Sequence, residues 1–206
     1  LQPLARVYGE FHWNGERVRS HRIDAVDGPA TRKAVTESLR RDIPALRPDE
    51  QGVLVYAGHG SPADDGSQLD LWGGAALDEA DLRGLLALQP AATTLRFVFT
   101  QCYAGGFQDA LLPLPDSGAA RCAFYAAPRD KPAEGCTTGL DVNEYRGYGT
   151  YFFAALAGQA RGGGALLADP DRNRDARVDP YEAHLYTLRA ACSTDLLRSS
   201  SEQYLL

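Results

Sequence analysis

Continuously apolar runs alternate along this chain with stretches whose apolar residues recur three and four places apart. "GVLVYA" (52–57), "TLRFVF" (94–99) and "CAFYAAP" (122–128) are rich in β-branched and aromatic residues and read as buried strands. Between them, "DGPATRKAVTESLRRDI" (27–43) sets Ala34, Val35 and Leu39 on one helical face, with Asp27 or Thr31 as its N-cap. "LDEADLRGLLAL" (77–88) has Asp78 near its start and an apolar stripe of Leu82, Leu85 and Leu86. "TYFFAALAGQARGGG" (150–164) is an amphipathic helix cut by glycines, and "PYEAHLYTLRAAC" (180–192) is a further helix. Ahead of all these, residues 1–22 form a hairpin pattern, two strand-like runs around Asn14-Gly15.

Alternating strands and helices, with strands that are apolar throughout, predict an α/β fold: a mostly parallel sheet with helices on both faces. "SPADDGSQLD" (61–70), "PLPDSGAA" (113–120) and "PRDKPAEGCTTGLDVNEYRGYG" (128–149) carry the Gly, Pro, Ser and acids of surface loops. No internal repeat is visible. The 206 residues fit one domain, residues 1–206.

Charge narrows the function. The net charge is −6 and no basic run exists, so binding driven by phosphate contacts is not expected. No apolar stretch approaches the ~20 residues of a membrane span. The start "LQPLARVYGE" is no signal peptide and carries no initiator Met, so the compartment stays open: cytoplasmic, or secreted or periplasmic if a leader was removed. Four cysteines, Cys102, Cys122, Cys136 and Cys192, are too few for a disulfide scaffold, and one bridge among the last three stays open.

Two strand ends carry chemistry. "GVLVYA" stops on Gly58-His59-Gly60, and "TLRFVF" stops on Thr100-Gln101-Cys102 before "YAGGF". In open parallel sheets ligands bind beyond the carboxyl ends of the strands. A thiolate nucleophile, an imidazole that passes a proton, and backbone N–H groups facing an oxyanion are what a cysteine peptidase needs. The glycines leave room for a substrate backbone.

These blocks, "VLVYAGHGS" and "FVFTQCYAGGF", resemble the two signature blocks of the caspase-like cysteine peptidases, the group of caspases, metacaspases, legumain and gingipains. The separation of 43 residues (102 − 59) is close to the ~50 of the caspase pattern. "FYAAPRDKPAEG" and "GYGTYFFAAL" look like the later strand and helix of that fold. The resemblance implies the three-layer caspase–hemoglobinase fold, a protein or peptide substrate, Cys102 as nucleophile, His59 as base, and the Gly60 and Cys102 amides as oxyanion hole. Where metacaspases and legumain carry an acid two places before the Cys, this chain has Thr100, which removes the argument for a strictly basic residue before the cleaved bond. Thr100, Gln101, Trp72 and Ala127 are the expected pocket residues, with Glu134, Asp141 and Glu144 as further specificity candidates. No third member of a triad is evident; Asp64, Asp65 and Asp70 follow His59 in the chain. A non-catalytic calcium-binding module of the same fold and a peptide ligase or transpeptidase are the alternative readings.

"DRNRDARVDPYE" (171–182), within an acidic loop over 169–182, fits the EF-hand calcium template. Asp171, Asn173 and Asp175 stand at positions 1, 3 and 5, the Arg177 carbonyl at 7, Asp179 at 9 and Glu182 at 12. One place departs: position 6, normally Gly, is Ala176, where a left-handed backbone costs a Cβ about 1–2 kcal/mol. His12, His21 and His184 have no metal-ligand spacing and are expected to be structural or surface residues.

Overall fold

The computed structural model describes residues 25–64, 66–112, 117–134 and 147–205. The expected hairpin over 1–22 lies outside them. The strands are β1 (Gln51–Tyr56), β2 (Gly60–Ala63), β3 (Gly66–Leu71), β4 (Ala75–Asp78), β5 (Thr94–Phe99), β6 (Ala120–Tyr125) and β7 (Arg198–Ser199). The helices are α1 (Arg32–Asp42), α2 (Glu79–Leu86), the short α3 (Gln108–Leu111), α4 (Tyr148–Ala157), α5 (Pro180–Ala190) and α6 (Ser200–Tyr204), with a 3-10 turn at Ala104–Phe107.

The main sheet has the order β1-β5-β6-β7, with β1, β5 and β6 parallel and β7 antiparallel to β6. Alternation along β5 and β6 divides the core in two. Leu95, Phe97, Phe99, Ala123 and Tyr125 face α1, α2 and α3, while Val98 and Phe124 face α4 and α5. The protein is therefore an α/β domain with a mixed, mostly parallel sheet flanked by helices, as the alternation of patterns predicts. The helix caps match the sequence. Thr31, not Asp27, caps α1 by accepting from Ala34 N–H, and Asp78 and Asp81 form a capping box on α2.

Two expectations fail. "SPADDGSQLD" reads as loop but supplies β2 and β3, which pair with β4 as a separate three-stranded antiparallel sheet. Its polar residues alternate with Ser67, Leu69 and Leu71, which are buried, so only every second position meets the core. Strand β1 reads as fully buried, yet Val53 is 64% and Val55 is 45% exposed among the described residues. Among the described residues β1 is the end strand of the main sheet; Leu54 and Tyr56 pack on the α1–α2 side, while Val53 and Val55 on the opposite face join neither core cluster.

Candidate active site at the carboxyl ends of β1 and β5

β1 and β5 run side by side in register, Tyr56 opposite Phe99, so their carboxyl ends coincide. Thr100 prolongs the pairing: its N–H and its hydroxyl both donate to the Tyr56 carbonyl, each at 3.1 Å. Beyond this point the two chains turn toward each other. A Cβ built on Gly60 would lie 2.5 Å from the Cys102 carbonyl oxygen and 2.5 Å from Gln101 Cγ. The His59-Gly60 turn thus presses directly on Gln101-Cys102, and only glycine permits that approach.

His59 is exposed, and its imidazole has no hydrogen-bond partner among the described residues. Its backbone, by contrast, is fixed. The His59 carbonyl accepts from Asp70 N–H at 3.0 Å and from the Tyr56 hydroxyl at 2.8 Å. The bond from Asp70 N–H continues the β2–β3 ladder one place beyond the strand, which sets Gly60, opposite Leu69, at a non-bonded position. The Gly60 N–H is therefore not consumed by the ladder.

Cys102 is 6% exposed. Its Sγ accepts a hydrogen bond from Ala133 N–H at 3.3 Å. The segment that covers it is tied down on both sides. The Lys131 carbonyl accepts from Tyr103 N–H and the Ala127 carbonyl from Gly105 N–H, both at 2.9 Å, and Glu134 N–H donates to Asp195 Oδ1 at 2.7 Å. Tyr103 takes a left-handed backbone, φ 58° and ψ 20°, in which an L side chain costs about 1–2 kcal/mol. That turn swings the chain away from the sheet immediately after Cys102 and leads into the 3-10 turn. There Gly106 abuts Ser67, whose hydroxyl donates to the Tyr103 carbonyl at 2.5 Å.

The expected pocket residues divide. Gln101 is fully buried, and neither its Oε1 nor its Nε2 has a hydrogen-bond partner among the described residues. Ala127 is fully buried as well, so neither presents surface to a ligand in this conformation. Thr100 is half-buried, with Cγ2 about as far from a Cβ on Gly149 as ordinary packing allows, 3.4 Å. Trp72 is 75% exposed; it follows β3, pairs with Thr31 and lies two residues past Asp70. Of the acids after His59, Asp70 gives its carboxylate to the Ser61 hydroxyl at 2.7 Å and to Gln68 Nε2 at 3.3 Å, and Asp64 is exposed in the β2–β3 turn. Asp65, Cys136, Asp141 and Glu144 lie outside the described residues, as do His12 and His21. Cys122 and Cys192 form no disulfide among the described residues. Glu134 accepts from the Ser193 hydroxyl at 2.6 Å, beside Asp195. Burial pushes the Asp195 carboxyl above the usual carboxylate range, and the facing Glu134 carboxylate adds to this, against the opposing hydrogen bonds from Glu134 N–H and Ser193.

The acidic loop is wound on its own amides. Asp171 Oδ1 accepts from the N–H groups of Arg174 and Asp175, and Oδ2 from Ala176. Glu182 Oε1 accepts from Arg172 and Asn173, and Oε2 from Asp179. These bonds, led by that from Asp179, hold the Glu182 carboxyl below its ordinary range. Ala176 does take the left-handed backbone expected of position 6, with φ 65°, and Arg174 does likewise at 62°. Asp179 caps α5 in a capping box with Glu182. Asp175 Oδ1 accepts from Arg177 N–H. Among the described residues, no three His, Cys, Asp or Glu side chains stand close enough together to hold a metal ion. A cation on this loop would have to draw on the Asn173 amide and the Arg177 carbonyl as well.

One buried network has no warning in the sequence. His184, fully buried, has Nδ1 3.1 Å from the Tyr148 hydroxyl and Nε2 2.9 Å from Glu202, which joins α4, α5 and α6.

No family model matches the chain, and no curated protein matches its sequence. Among solved structures, it is similar to the crystal structure of protein GSU0716 from Geobacter sulfurreducens. The TM-score is 0.53 at 16% identity, over 82% of this chain and 73% of that one. That likeness concerns the fold. No helix among the described residues is long and apolar enough to cross a membrane.

Proposed function

We propose that the chain is a cysteine endopeptidase of the caspase-like three-layer fold, working through His59 and Cys102. The observation that carries this reading is the contact of the Gly60 turn with the Cys102 carbonyl at the carboxyl ends of two parallel strands. Ligands of open α/β sheets gather there.

In this reading the Cys102 thiolate attacks the scissile carbonyl carbon. The oxyanion that forms is held by the Gly60 and Cys102 N–H groups. The C–N bond breaks as His59, protonated, gives its proton to the leaving amine, and a thioester remains on Sγ. Water, deprotonated by His59, then attacks the thioester; the acid leaves and the thiolate is restored. The exposed imidazole has to turn inward and the Ala133 segment has to yield before this can begin, since dyad contacts often tighten only with substrate.

Calcium belongs to the same proposal. Asp171, Asn173, Asp175 and Glu182 would hold it with side chains, Arg177 with its carbonyl and Asp179 through water or its free oxygen. The ion would neutralise the carboxylates that this spacing gathers on one loop.

The buried thiol favours one rival, a non-catalytic module of the same fold. A mixed peptide library scanned with and without calcium separates the two. Cleavage that vanishes in Cys102→Ala and His59→Ala supports the peptidase; cleavage unchanged by Cys102→Ala, or none in any condition, sinks it. Added amine nucleophiles reveal a ligase through amide products.

A further inference from the structure

We infer that Tyr56 is a positioning residue for both halves of the site, its hydroxyl fixing the His59 turn while its carbonyl fixes the approach to Cys102. The inference rests on the dyad reading above.

Tyr56 is the last residue of β1. Its hydroxyl lies 2.8 Å from the His59 carbonyl and 2.7 Å from the Asp70 carbonyl, so one proton serves two acceptors. Its own carbonyl accepts from the N–H and the hydroxyl of Thr100, two residues before Cys102. One residue therefore touches the backbone of the turn that carries the imidazole and the strand extension that carries the thiol. The ring reaches back across residue 58, and a Cβ there would stand 2.7 Å from the hydroxyl and 2.9 Å from Cζ. This gives Gly58 a reason distinct from that of Gly60: the first makes room for the tyrosine ring, the second for Cys102.

The hydroxyl remains a donor at any working pH. Burial, with the Asp70 charge adding, pushes the phenol up to about 12. A side chain that served only the hairpin would have no need to bond His59, because Asp70 N–H already satisfies that carbonyl. The second donor removes the freedom of the residue whose side chain must meet a thiol, and small misplacements of reacting groups cost rate steeply.

Tyr56→Phe deletes the hydroxyl and keeps the ring and the carbonyl. The expected result is a fall in kcat of roughly ten- to a hundredfold with KM unchanged. A substrate-free readout runs beside it: the rate at which iodoacetamide alkylates Cys102 at fixed pH, followed by peptide mapping with exposed Cys192 as internal control. His59→Ala is expected to slow alkylation, Tyr56→Phe to slow it less, and Tyr56→Phe on top of His59→Ala to add nothing. If His59→Ala changes neither rate, the dyad reading fails and the inference with it. If His59→Ala acts but Tyr56→Phe is silent, or its effect simply adds to that of His59→Ala, the positioning role alone is overturned. Gly58→Ala, which displaces the ring but keeps its hydroxyl, is expected to reproduce the Tyr56→Phe pattern and decides the matter if Tyr56→Phe proves unstable.

Discussion

The Cα of Gly60 faces the carbonyl oxygen of Cys102 so closely that a methyl group would come within 2.5 Å of it. The opposing atom is backbone, so the contact cannot be relieved by a rotamer change. Gly60→Ala is expected to cost about 1–3 kcal/mol of stability, as overpacking does, and, under the proposed function, to remove peptide cleavage by separating the two turns. Thermal melts together with kcat/KM on the best library substrate check it. Unaltered turnover would show that the contact has no bearing on the site.

The acidic loop makes a separate prediction. If calcium binds, a hundredfold excess over Kd stabilises by about 2.7 kcal/mol, a rise in Tm of roughly 5–10 °C for a domain of this size. Glu182→Gln should abolish most of that rise, since position 12 loses its bidentate carboxylate. Calorimetric titration of both proteins tests it; equal affinity would remove Glu182 from the ligand set.

Asp195 supplies a pH test. Its carboxyl is raised by burial and by Glu134, so the folded state takes a proton more readily than the unfolded chain. Asp195→Asn is therefore expected to melt higher than the parent near neutral pH. As pH falls, the parent protonates in the folded state first and regains stability, so the gap should close toward pH ~4. A gap that is constant from neutral to acid would contradict a raised carboxyl.

Phe99 ends β5 and packs against Phe97, Phe107 and Tyr125, with ring centroids 5.8, 5.2 and 6.2 Å away. It is fully buried three residues before Cys102. Phe99→Ala should cost about 3–5 kcal/mol. Denaturant midpoints measure it, and a loss below ~1 kcal/mol would mean that the site end of the core collapses without penalty.

Much of this arrangement is legible in the residues themselves. The apolar runs that begin at 52, 94 and 122 fall on β1, β5 and β6; β5 and β6 pack side chains into both halves of the core, whereas β1 leaves Val53 and Val55 exposed. The α1 and α2 caps follow from Thr31 and Asp78, whose side chains reach amides only three residues away. Ala176 is flagged by a template that needs a left-handed residue, and it adopts one. His59 and Cys102 announce themselves by their places at two strand ends.

What only the tertiary structure decides involves partners far apart in sequence. Nothing near Tyr56 says that its hydroxyl will bridge His59 and Asp70, because that bridge exists only once β2 and β3 pair as a hairpin, and the polar run 61–70 disguises the pairing. Ala133 is an unremarkable alanine until the chain after β6 lays its N–H against a sulfur 31 residues earlier. The burial of Gln101 and Ala127, and the closing of His184 between Tyr148 and Glu202, are likewise products of packing. Local sequence sets what a segment is able to become, through covalent geometry and nearest amides; long-range contacts set which side chains meet, since each such contact requires the rest of the chain to be in place first.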